Sequence, residues 1–183
     1  LYKNLIINIL KQSVLDIMKI TKDLNSLTEK EFINTFGTIF EKSDWIASEA
    51  FKQKPFKNSQ DLKDKIINIY DRCSKEKVVS ILNLHPKLVI EKKLTKFSSK
   101  EQSSAQLDTC TKEELKEFEK LNLDYKKKFD FPFIIAVRGK NKQEILNNFR
   151  IRINNDHEKE FIEAKMQVKK IALFRLNELF EIN

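Results

Sequence analysis

Along most of the chain, apolar side chains recur every three or four positions among charged ones, the period of an amphipathic helix. From Thr111 onward, Leu115, Phe118, Asn122 and Tyr125 fall near one face. Toward the C-terminus, Phe161, Ala164, Val168, Ile171, Ala172, Leu176 and Leu179 form a longer stripe of the same kind. Both stretches predict helices facing a core. Helix starts are marked as well: Thr28-x-x-Glu31, Ser98-x-x-Glu101, Thr111-x-x-Glu114 and Asn141-x-x-Glu144 each place a capping oxygen three residues before a glutamate. Strand signals are weak, because no alternating run is bounded by hairpin turns. One segment breaks the helical period. Phe131-Pro132-Phe133-Ile134-Ile135-Ala136-Val137 is apolar throughout, and the proline restrains the residue before it to extended conformations. It is the one strand candidate, and a lone strand makes no sheet. The pattern therefore predicts an all-α fold: a single compact multi-helix domain with one short extended segment near 131–138.

Residues 1–22 carry Leu5, Ile6, Ile9, Leu10, Val14, Ile17 and Ile20, which predicts an N-terminal helical extension ahead of a domain over 23–183. A targeting peptide is the rival reading, but Lys11 and Gln12 interrupt the apolar stretch and no small-residue cleavage site follows. Trp45 and the pair Pro55-Phe56 are expected in the core.

Composition narrows the function. Hydrophobic residues make up 40% of the 183 and charged residues 34%, and no uninterrupted apolar stretch approaches the ~20 residues needed to span a bilayer. No membrane partner is expected. Cys73 and Cys110 are too few for a disulfide framework or a four-thiolate zinc site, so a reducing, cytoplasmic setting is the expectation. The C-terminal Glu181-Ile182-Asn183 is no peroxisomal address. A net charge of +8 raises nucleic-acid binding, yet lysines mostly alternate with acidic residues, and Lys126-Lys127-Lys128 is the longest basic run. With only two glycines, phosphate-cradling loops are absent. The histidines and cysteines match no zinc spacing, so no metal is expected, and a Ser-His-Asp site lacks its nucleophile turn.

Four places carry candidate chemistry. His157, in the polar run Asn154-Asn155-Asp156-His157-Glu158, reads as solvent-exposed. His85 follows the apolar Val78-Val79-Ser80-Ile81-Leu82 and precedes Pro86, which tends to end an arriving helix. An imidazole there either faces a cavity from a rigid element or merely complements the helix dipole. Ser98-Ser99-Lys100-Glu101-Gln102 is either a capping box or a polar helix start aimed at a ligand. Arg138, beside Gly139 at the end of the apolar run, is either a structural salt-bridge former or a planar fork for a carboxylate. The glycine permits a tight turn or close approach of a ligand.

Taken in order, Ser43-Asp44-Trp45-Ile46-Ala47, Lys54-Pro55-Phe56, His85-Pro86-Lys87-Leu88, Ser98-x-x-Glu101-Gln102, Leu121-Asn122-x-x-Tyr125-x-x-x-Phe129-x-Phe131-Pro132-Phe133 and Val137-Arg138-Gly139 resemble the 2-oxo-4-hydroxy-4-carboxy-5-ureidoimidazoline (OHCU) decarboxylase family of uric acid degradation. The similarity runs from about Leu27 to Leu179. The resemblance implies an all-helical, homodimeric carboxy-lyase of purine catabolism that uses no cofactor and yields (S)-allantoin. It further implies His85 and Glu101 as catalytic residues, with Pro86, Ser98, Gln102, Ile135, Ala136, Val137 and Arg138 at the substrate. Three positions depart from the family pattern: Lys87 stands where an acidic residue is usual, and Gln106 and Asp130 stand where glycine is usual. Two other readings stay open, a catalytically degenerate binding member of the same fold and a basic helical nucleic-acid binder.

Overall fold

The computed structural model describes residues 23–89 and 94–181; the helix expected over most of 1–22 lies outside them. The described residues contain eight long enough helices to label: α1 Glu29–Phe36, α2 Trp45–Phe51, α3 Ser59–Asp71, α4 Lys75–Leu84, α5 Lys96–Ser104, α6 Lys112–Phe129, α7 Lys142–Arg152 and α8 His157–Glu181. A short 3-10 turn, Leu107–Thr109, follows α5. Among the described residues there is no strand, so the all-α expectation holds.

Three of the four capping boxes form. Thr28, Thr111 and Asn141 each accept from the backbone amide three residues on, while that glutamate reaches back to the cap. The fourth does not. α5 begins earlier than the Ser98-x-x-Glu101 pattern suggests, because Thr95 takes the cap and accepts from the Ser98 amide at 3.3 Å. Ser98 and Glu101 therefore sit inside the helix, and the Glu101 carboxylate is released from capping for other partners.

α8 is the spine of the domain. It packs on α3, α4 and α6, while α2 packs on α1 and α3, and α7 on α6. Ala164, Val168, Ile171, Ala172 and Leu176 are buried along α8, as its stripe predicts. Phe118, Asn122 and Tyr125 do the same on α6, with Leu115 half-buried. Two aromatic-motif expectations need correction: Phe56 is buried, but Pro55 is exposed and Trp45 only half-buried. The lysine run at the end of α6 is used locally. Lys126 donates to the Asp130 carbonyl at 2.5 Å and Lys128 to the Ile153 carbonyl at 2.8 Å, cations suited to the negative end of a helix.

Residues 131–137 are all buried and lie outside any helix, and they pair with no strand. Side chains replace the missing ladder. Arg152 donates to the Ile134 carbonyl at 2.8 Å, and the Ala136 amide donates to Gln167 Oε1 at 2.8 Å. Arg152 is in turn paired with the fully buried Glu160, which also accepts from the Tyr125 hydroxyl and from Asn155. Burial pushes the Tyr125 pKa well above the usual phenol range, so the hydroxyl keeps its proton and donates. Phe133 anchors the segment by stacking on Phe149 at 3.9 Å between ring centroids. Buried backbone polar groups must be paired, and a cluster built from α6, α7 and α8 does this for the segment.

Two backbone positions test the sequence directly. Gln106 has φ 57° and Asp130 φ 63°, both in the left-handed region; these are the two places where family resemblance leads one to expect glycine. The turns persist and the side chains bear the strain, of order 1–2 kcal/mol per residue and less for Asp. Gln106→Gly and Asp130→Gly should each stabilise the fold by about 0.5–1 kcal/mol in urea titrations, with Asp130→Gly the smaller gain. Unchanged or lowered midpoints would mean that these side chains contribute contacts worth more than the strain.

Candidate active site

His85 terminates α4, leaving the helix at φ −73°, ψ 141° in the extended conformation that Pro86 requires of its predecessor. Its Nδ1 lies 2.9 Å from the Ile81 carbonyl oxygen. A carbonyl only accepts, so Nδ1 carries the proton and Nε2 is the bare acceptor. Nε2 is buried and has no hydrogen-bond partner among the described residues. Burial lowers the His85 pKa to about 4, reinforced by the Arg175 charge and opposed by the Ile81 hydrogen bond and by Glu41. The imidazole is therefore neutral at neutral pH. Its turn is fastened from two sides: the Val89 amide donates to Gln102 Oε1 at 3.0 Å, and Asn122 Nδ2 donates to the Leu88 carbonyl at 3.2 Å.

Ser98, Glu101 and Gln102 project from α5 at i, i+3 and i+4 and so share one face. Glu101 is gripped by Arg175 of α8 through two parallel bonds, Nε to Oε1 and Nη2 to Oε2, each 2.8 Å. Arg175 is itself 2% exposed. Its remaining donors reach the Thr38 carbonyl at 3.2 Å, the Ile39 carbonyl at 3.3 Å, Glu41 at 3.3 Å and Ser98 Oγ at 3.2 Å. The Ser98 hydroxyl donates onward to Glu41 at 2.8 Å. Desolvation alone would lower the Arg175 pKa, but hydrogen bonds and charge from Glu101 and Glu41 outweigh it and the net shift is upward. The guanidinium is permanently charged.

These groups enclose a cavity of about 30 Å³, room for a water or two. His85, Pro86, Ser98, Glu101, Gln102, Ile135 and Val137 line it, with Leu88, Ile134, Ile171 and Arg175. Along the segment, the Ile134 carbonyl is spent on Arg152 and the Ala136 amide on Gln167, while Ile135 and Val137 line the cavity. No hydrogen bond from the Ile135 or Val137 amide is found among the described residues.

Two predicted site residues lie elsewhere. Ala136 is buried behind the wall with its amide on Gln167. Arg138 is exposed, pairs with Glu178 at 2.6 Å and lies over the Phe174 ring at 5.2 Å, and it is not part of the cavity wall. Arg175 and Glu41 are the residues that sequence reasoning missed. Arg175 carried a signal, since it interrupts the buried face of α8 between Ala172 and Leu176. Glu41 carried none beyond following the apolar pair Ile39-Phe40. The departures Lys87, Gln106 and Asp130 are all outside the cavity wall. His157 is exposed, as expected. Among the described residues no cluster of three or more His, Cys, Asp or Glu side chains is arranged to hold a metal.

Known proteins share this chain's sequence pattern and its helical scaffold. A family model described as OHCU decarboxylase matches residues 25–177. The chain is 42% identical over 159 residues to the uric acid degradation bifunctional protein of Bacillus sp. (strain TB-90), covering 87% of this chain but 32% of that protein, so it spans about a third of that relative's length. It is 33% identical over 159 residues to the 2-oxo-4-hydroxy-4-carboxy-5-ureidoimidazoline decarboxylase of Haloferax volcanii, covering 87% of this chain and 95% of the relative. A crystal structure of OHCU decarboxylase in the presence of (S)-allantoin superposes with a TM-score of 0.64 at 27% identity, covering 75% of this chain and 91% of the other. With the family's pattern matched over most of its length and its helical scaffold reproduced, the chain belongs to the OHCU decarboxylase family.

Proposed function

We propose that this chain decarboxylates OHCU to (S)-allantoin, a step of uric acid degradation, without a cofactor. The observation that carries the reading is the bare, buried Nε2 of His85 in one small cavity with the Glu101 carboxylate, which Arg175 holds rigidly. The substrate supplies its own electron sink. Its carbon bearing the carboxylate and hydroxyl adjoins a C=N bond. As carbon dioxide leaves, the released pair forms a C=C bond, and the C=N pair moves onto nitrogen, which takes a proton. Loss of the hydroxyl proton then makes the carbonyl, while the ureido-bearing carbon takes a proton on one face. The balance is one net proton consumed for each carbon dioxide released.

The residues divide as follows. Neutral His85 accepts the hydroxyl proton at Nε2, and Glu101 transfers the proton to carbon. Ser98 and Gln102 hold ring oxygens, and the free Ile135 and Val137 amides recognise the ligand's polar edge, with Pro86 and Ala136 shaping that wall. Arg138 takes the substrate carboxylate after leaving Glu178. A homodimer and a cytoplasmic location belong to the same reading; exposed Ile162, Met166 and Leu173 on α8 offer a surface for self-association. Among the described residues no helix is long and apolar enough to cross a membrane. The decisive experiment is saturable formation of (S)-allantoin from freshly generated substrate, with chirality read by circular dichroism; its absence would leave a binding member of the fold.

Glu101→Gln should lower the rate by about 100- to 10,000-fold above the spontaneous background, the usual contribution of a general acid or base. It should also lower the urea midpoint, because the buried Arg175 loses a charged partner. Near wild-type turnover with reduced stability would reassign Glu101 to holding Arg175 alone.

For His85 the pH dependence of stability is the test. Its folded pKa of about 4 lies below the ordinary 6.5, so the unfolded chain binds the extra proton. The contribution is full above about pH 6.5 and is lost as pH falls toward 4. His85→Asn should therefore show a shallower decline of unfolding free energy between pH 6.5 and 4 than wild type. Identical slopes would mean that another group titrates there.

A further inference from the structure

Two cations from opposite walls of the pocket meet on one carboxylate. Glu178 of α8 accepts from Lys100, the neighbour of Glu101 on α5, and from Arg138, the neighbour of Val137 on the extended segment. The Glu178 side chain is 17% exposed, against 68% for Lys100 and 47% for Arg138, so the cations reach inward over it. Phe174, on the same stretch of α8, supports the Arg138 guanidinium at 5.2 Å. Both contacts turn Arg138 away from the cavity, whose wall includes Val137 but not Arg138. The cavity left behind holds about 30 Å³, room for a water or two.

We propose that Glu178 is a positioning residue that parks Arg138 outside the pocket, standing in for the substrate carboxylate until that carboxylate displaces it. This rests on the reading of Arg138 as the substrate's carboxylate partner. The chemistry is matched, because a guanidinium offers the same fork to either carboxylate. A partly exposed ion pair contributes little free energy, so a ligand carboxylate in a drier pocket can win the guanidinium. While Glu178 holds it, only a fraction of the enzyme is ready to bind, and apparent affinity falls by that fraction.

The test is steady-state kinetics on freshly generated OHCU with the full chain. Glu178→Gln should lower KM by about 2- to 5-fold with kcat within about twofold of wild type, from the ordinary strength of such a pair. Arg138→Ala should raise KM at least tenfold, and adding Glu178→Gln to it should change nothing further. Lys100→Met should not lower KM, since it leaves Glu178 free for Arg138. Glu178→Asp, which keeps the charge but withdraws it by one methylene, should lower KM as well and decides the matter if Glu178→Gln fails to fold. Unchanged KM in Arg138→Ala would overturn the substrate role of Arg138 itself. Raised KM in Arg138→Ala, together with an unchanged or raised KM in Glu178→Gln, overturns the parking role alone. So does a lowering that survives without Arg138, or one reproduced by Lys100→Met.

Discussion

Arg175 is the constraint around which the site is organised. A guanidinium at 2% exposure is costly to desolvate and persists only when each donor finds an acceptor. The partners come from two parts of the chain outside α8, which carries Arg175: the Thr38–Glu41 loop after α1, and Ser98 and Glu101 on α5. Satisfying this one cation therefore fixes how these pieces meet, and with them the orientation of Glu101 relative to His85. The same charge helps keep His85 neutral.

A second buried guanidinium solves a different problem. The segment 131–137 runs through the core without a partner strand, and Arg152 with Gln167 supplies the polar contacts a ladder would have provided. Those contacts occupy alternate residues. The Ile135 and Val137 amides make no such contact among the described residues, so the anchoring of the segment from α7 and α8 leaves these two backbone donors unspent. Gly139, at φ 75°, then turns the chain out of the core immediately after Arg138.

Much of this was legible in the sequence, for identifiable reasons. Helical period and capping boxes are local signals, so α1, α6, α7 and α8 could be read from their own residues. His85-Pro86 and the Phe131–Val137 run were also legible, because proline acts on its immediate neighbour. What failed was long-range. The Ser98-x-x-Glu101 pattern looked like a cap, but Thr95 lies upstream and takes that place, while Glu101 finds Arg175 some 74 positions away. Arg138 left two readings open, a salt-bridge former or a carboxylate fork, and its partner in the structure is Glu178, 40 positions on. No local pattern encodes which of two distant carboxylates an arginine will choose.

The composition of α5 follows from that division of labour. Its sequence, Lys-Phe-Ser-Ser-Lys-Glu-Gln-Ser-Ser, buries only Ser98 and Gln102. A helix so poor in apolar surface gains little from burial at roughly 25 cal/mol per Å²; it is held by Arg175, Glu41, Glu178 and the Val89 amide instead. Polar contacts are directional, so they set side-chain geometry more narrowly than apolar packing does, and each is individually weak enough to exchange for a ligand's oxygen. A wall that holds Ser98, Glu101 and Gln102 in fixed relation is better built from such bonds than from leucines.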